Sequence, residues 1–125
     1  MKLRVARHTD DLERIVAFYR DRVGLPELGR FEGHDGYDGV FLAMPGTGAH
    51  LEFTTGGEFS APEAHPENLL VLYLDDEAQV QEIAQRIGDP PVRPANPYWE
   101  RCALTFADPD GNQLVLAVLQ RDALW

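Results

Sequence analysis

The chain alternates between two kinds of hydrophobic pattern, one with the period of a strand and one with the period of a helix. Residues 3–8, LRVARH, read as a strand. Asp10 or Asp11 then caps an amphipathic helix that runs to about Arg22, with Leu12, Ile15, Val16, Tyr19 and Val23 on its apolar stripe. Gly24 supplies the exit, since glycine tolerates the left-handed backbone that ends many helices. Three extended segments follow: a modest one at 27–34 and stronger ones at 38–44 and 49–55, with PGTG at 45–48 as a turn. The turn-rich stretch 57–66 is the natural connector between two halves.

After the connector the order recurs. LLVLYL (69–74) is a strand, and 75–88 is an acid-capped helix that ends in Gly88. The proline-rich DPPVRPANPY leaves room for at most a short edge strand, because proline cannot donate to a ladder. RCALTFA (101–107) and NQLVLAVLQ (112–120) are strands joined by the turn DPDG. At an offset of 63 residues, Pro45–Gly48 falls on Asp108–Gly111, and Leu51-Glu52-Phe53 falls on Leu114-Val115-Leu116. The prediction is an α+β fold of two tandem βαβββ modules, 1–56 and 67–121, related by pseudo-two-fold symmetry within one domain spanning 1–125. The two modules together would form a concave mixed sheet around a cleft, with the helices on its outer face.

Composition narrows the function classes. A length of 125 residues suits one domain, and no stretch approaches the roughly 18 apolar residues of a membrane span. Twenty-one acidic against eleven basic side chains give a net charge of −10, which repels a phosphate backbone and disfavours nucleic acid as a partner. The N-terminus lacks the apolar core of a secretion signal, and the single cysteine, Cys102, has no internal disulfide partner. Both point to the cytoplasm.

DDLERIVAFYRDRVGLP (10–26), HLEF (50–53) and DPDGNQLVL (108–116) carry a resemblance to the vicinal oxygen chelate superfamily. That superfamily includes glyoxalase I, extradiol dioxygenases and the fosfomycin and bleomycin resistance proteins. PYWERCALTF (97–106) is similar to the approach to the last hairpin in the same proteins. HDGYDGVFLAMPGTGAHLEFT further resembles a bacterial glyoxalase-like subgroup.

In members that use a metal, the resemblance implies a histidine on the first strand and a glutamate on the last strand of each module. Here those four slots fall on Arg4, Glu52, Leu69 and Val115, with Asn68 in place of Leu69 if the register slips by one. One carboxylate beside a guanidinium and two aliphatic side chains is not the three or four ligands of a zinc, nickel or iron site. The expectation is therefore no metal and no cofactor. A relocated site built on His8, His50 and Glu52, with His34 or His65, is the alternative.

Strand periodicity puts Arg4, Ala6 and His8 on one face, and His50, Glu52 and Thr54 on one face of the later strand. Arg4 and Glu52 pair in the resemblance, either to receive an anionic ligand group or as a structural ion pair that replaces the metal. Glu52 and His50 are the catalytic candidates. The expected ligand-binding set is Arg4, His8, His50, Glu52, Leu69, Tyr73, Tyr98, Trp99, Gln113 and Val115, with Tyr98 and Trp99 as an aromatic rim after the proline-rich loop. A surface polar on one side and aliphatic on the other suits a small, partly apolar organic molecule. The leading expectation is a metal-independent binder, acting by sequestration. The alternative is a lyase, isomerase or hydrolase with Glu52 as base and Arg4, His8 or His50 in support. Such relatives work as homodimers, so the resemblance implies a dimer here.

Overall fold

The structure, a computed structural model, describes residues 1–119, with the side chain of Cys102 left out. The chain divides at Glu63/Ala64 into two compact units. The expected last strand and second module reach Gln120 and Arg121, which lie outside the described residues.

The first unit runs β1 (Arg4–His8), α1 (Leu12–Val16), a π-helical stretch (Ala17–Val23), β2 (Glu27–His34), β3 (Tyr37–Ala43) and β4 (His50–Gly56). Asp11 is the N-cap; its side chain accepts from the Arg14 backbone N–H at 3.2 Å. The helix then widens instead of continuing its α pitch. Gly24, at φ 96°, closes it, donating its N–H to the Tyr19 carbonyl five residues back. That five-residue spacing is the π-helical bond. Phe18, which the α-helical stripe leaves out, is buried along with Ile15, Val16, Tyr19 and Val23.

The four strands form one sheet in the order β1-β4-β3-β2, with β1 parallel to β4 and the other neighbours antiparallel. Alternation then separates two faces. Val40, Leu42, Leu51 and Phe53 are buried, and Tyr19 stacks on Phe53 with ring centroids 5.1 Å apart. Each large apolar side chain buried this way contributes roughly 1.5–3 kcal/mol. The opposite face carries Arg4, Ala6 and His8 beside His50, Glu52 and Thr54, in direct register.

The second unit runs β5 (Leu69–Leu74), α2 (Glu77–Ile87), α3 (Tyr98–Cys102), β6 (Ala103–Ala107) and β7 (Gln113–Val118). Asp76 caps α2 by accepting from Gln79 N, and Gly88 ends it at φ 76°. Its sheet has three strands, in the order β5-β7-β6. The edge strand of the proline-rich segment is reduced to one backbone bond, Val92 N–H to the Thr105 carbonyl at 2.7 Å. Pro90, Pro91 and Pro94 have no N–H to offer a ladder. Leu69 pairs with Gln113 as Arg4 pairs with His50, so the register of the first unit is repeated in the second. No helix of the described residues is long and apolar enough to cross a membrane.

Candidate functional site

The helix-free face of the first sheet gathers the charged and aromatic side chains. β1 and β4 lie side by side with Arg4 opposite His50 and His8 opposite Thr54. Arg4 Nε donates to His50 Nε2 at 2.8 Å. Because that nitrogen accepts, the ring proton belongs on Nδ1, which is buried and has no hydrogen-bond partner among the described residues. His50 is only 8% exposed, whereas the Arg4 side chain is 51% exposed.

Arg4 Nη1 lies 3.7 Å from Glu52 Oε2, an ionic contact beyond hydrogen-bond length. No other hydrogen bond from the Arg4 guanidinium is made among the described residues. Its carbon sits 4.7 Å from the centroid of Phe41, which β3 places opposite Glu52. Phe31 stands 5.7 Å from Phe41, and His50 meets Phe41 edge-on at 6.1 Å. Phe31 reaches this position because Gly39 opposes it: a Cβ there would collide with the ring.

His8 is occupied differently. Its Nε2 donates to the Phe59 carbonyl at 3.0 Å, and its Nδ1 shares a 2.9 Å bond with the Thr54 hydroxyl. Both ring nitrogens are therefore engaged with protein groups, and the ring tethers the segment after β4 to the sheet. Tyr37 lies edge-on to His8 at 6.0 Å and over Gly57.

The structure thus brings Arg4, His50 and Glu52 together on one unit with Phe41 and Phe31. Sequence reasoning missed these two phenylalanines. The missed signal was the alternation Tyr37, Gly39, Phe41, Ala43, which the β3–β4 register sets against Gly56, Thr54, Glu52 and His50.

In the second unit Leu69, Val71 and Tyr73 pair with Gln113, Val115 and Ala117 and share a face. Gln113 Oε1 and Thr105 Oγ1 are buried there without hydrogen-bond partners among the described residues. Tyr98 and Trp99, which follow the proline-rich loop, lie in the short helix α3, and the strand expected from Arg101 starts at Ala103. Asn96 Oδ1 accepts the Tyr98 N–H at 3.0 Å, and Pro97 fixes the backbone at the helix start. Trp99 lies 4.9 Å from Tyr98 and 6.4 Å from Tyr73.

A resident metal does not fit these donors. Glu52 faces a guanidinium, His50 Nε2 is taken by the same arginine, and both nitrogens of His8 are engaged. Leu69 and Val115 carry no donor atom in their side chains. Among the described residues no three His, Cys, Asp or Glu side chains converge as a metal would need.

Two family models match the chain: the YycE-like N-terminal domain over residues 3–54 and the YycE-like C-terminal domain over residues 67–118. The protein YycE of Bacillus subtilis (strain 168) is 38% identical over 118 residues, covering 91% of this chain and 85% of that protein. A crystal structure of a YycE protein of unknown function from Bacillus subtilis superposes with a TM-score of 0.89. It is 35% identical, with 99% of this chain and 93% of that chain covered. The fold is shared with glyoxalase I of Leishmania major (TM-score 0.67, 22% identity, 94% of this chain and 86% of that chain). It is also shared with the fosfomycin resistance protein FosX of Mesorhizobium loti (TM-score 0.66, 17% identity, 94% and 90%).

Proposed function

From the premise that the chain belongs to the YycE-like family, within the vicinal oxygen chelate superfamily, we propose that it is a metal-independent protein that binds a small, partly apolar organic molecule. The binding surface is the helix-free face of the first sheet, and the role is to hold the molecule rather than convert it. One observation carries this reading. Arg4 is held by His50 and lies over Phe41 with its side chain half exposed, so a cation and an aromatic surface are presented together. Binding surfaces for small organic molecules combine apolar area with a few fixed polar groups.

The retained carboxylate, Glu52, supports binding more than proton transfer. It lies 3.7 Å from the Arg4 guanidinium, so the two side chains are presented to a ligand together rather than the carboxylate alone. The same pair would repel a divalent cation from one side as it attracted it from the other, which supports a metal-independent role.

Native mass spectrometry of protein purified without added metal or chelator, read with its elemental content, tests the proposal. A metal-free protein that retains a small molecule, or takes one up from a fragment set, is the expected result. A stoichiometric transition metal bound through His50 or Glu52 would overturn it.

A further inference from the structure

Resting on the reading of this face as a ligand surface, we infer that the ligand is a planar aromatic monocarboxylate, held through the Arg4 guanidinium. Arg4 has a terminal edge, Nη1 and Nη2, and a side edge that includes Nε. His50 accepts the Nε proton at 2.8 Å, and the Glu52 oxygen facing Nη1 stands at 3.7 Å, too far for a hydrogen bond. Among the described residues the terminal edge therefore retains its N–H donors, in the parallel arrangement that matches two carboxylate oxygens. His50 is a positioning residue here: by accepting at Nε2 it fixes one edge of the guanidinium and leaves the other for the ligand.

A carboxylate bound by two parallel hydrogen bonds is coplanar with its guanidinium. That guanidinium lies 4.7 Å from the Phe41 centroid, with Phe31 another 5.7 Å on. A ring conjugated to the carboxylate that extends over this aromatic surface gains offset-stacked or edge contacts. Glu52 sets the charge. Its side chain is only 14% exposed and stands beside the recognised group, so a dianion meets a carboxylate that water screens poorly. A single negative charge is tolerated better than two.

The test is titration of the isotopically labelled full chain, followed by amide and side-chain NMR, with benzoate, phenylphosphonate, cyclohexanecarboxylate and benzyl alcohol. Benzoate is expected to shift the Arg4, Phe41 and His50 signals saturably. It should bind at least tenfold more tightly than phenylphosphonate at pH 8, and several-fold more tightly than cyclohexanecarboxylate. Arg4→Lys should weaken benzoate at least tenfold, since an ammonium cannot form the paired bonds. Phe41→Leu should bring benzoate down to the affinity of cyclohexanecarboxylate. Benzyl alcohol or cyclohexanecarboxylate binding at this face without a preference for benzoate overturns the inference and leaves the binding reading standing. Failure of all four probes, and of a wider set of cationic and neutral fragments, to move these signals overturns both.

Discussion

At the residue scale, two glycines of the first sheet show how the identity of the displaced neighbour decides the cost of a side chain. A Cβ at Gly39 meets the far end of the Phe31 ring, which is able to swing aside. A Cβ at Gly56 is pressed into the Gly36 carbonyl oxygen, and Gly56 sits at φ 101° besides. Backbone cannot yield as a ring can. Gly39→Ala should therefore cost only about 1 kcal/mol, and Gly56→Ala about 3 kcal/mol or more, in the range of overpacking and left-handed strain. Urea unfolding checks the ranking; equal midpoints for the two variants would contradict it. Gly39→Ala should also weaken benzoate without loss of fold, because it moves Phe31. Residue-level legibility was uneven. Arg4, His50 and Glu52 could be placed from a period of two and a family pattern. Phe31 and Phe41 could not, because their neighbours depend on the β2–β3 and β3–β4 registers, which lie in no single stretch of sequence.

At the scale of elements, the regular periods were legible and the irregular turns were not. β2 and β5 fall at Glu27–His34 and Leu69–Leu74, the spans their patterns indicate. The widening at Ala17–Val23 has no composition signal, since the same side chains fit an α-helix, and within it both Phe18 and Tyr19 are buried. α3 was hidden by the prolines before it. The π-helical stretch is joined to β2 by charge. Glu27 accepts from both Arg20 and Arg30, and Arg30 also faces Glu13. The hydrogen bonds from Arg30 and then Arg20 pull the Glu27 carboxyl down to about 2. A carboxyl whose folded value is depressed adds stability that is present above its ordinary range and lost as the pH falls towards the folded value. Between about pH 5 and pH 2, wild-type Tm should therefore fall more steeply than that of Glu27→Gln, while at neutral pH the variant should melt lower. Parallel pH–Tm curves would show that the network is too screened to matter, as exposed ion pairs often are. Gly88, at φ 76°, gives a second element-level prediction: Gly88→Ala should lower stability by about 1 kcal/mol, readable by thermal unfolding.

For the whole molecule, the duplicated order of elements was legible because each strand–helix–hairpin unit carries its own turn signals, and the equal registers of β1–β4 and β5–β7 bear out the repeat. The candidate site was less legible, since the duplication does not extend to chemistry: where the first unit has Arg4 and Glu52, the second has Leu69 and Val115. Net charge adds one consequence for the proposed ligand. Arg4 and Glu52 cancel locally, so the field an approaching carboxylate meets is set by the chain's net charge of −10. For charges averaging about 20 Å away, that repulsion is on the order of 1 kcal/mol at 0.01 M salt and a few tenths or less at 0.15 M. The difference is roughly a factor of five in affinity. Benzoate should therefore bind more tightly as salt rises over this range, the reverse of an anion site in a basic field. Calorimetric titrations at the two salt concentrations decide it. Tightening would fit a locally neutral Arg4–Glu52 pair inside an acidic chain. Weakening would mean that the arginine acts as an uncompensated cation, with Glu52 turned away from it in solution.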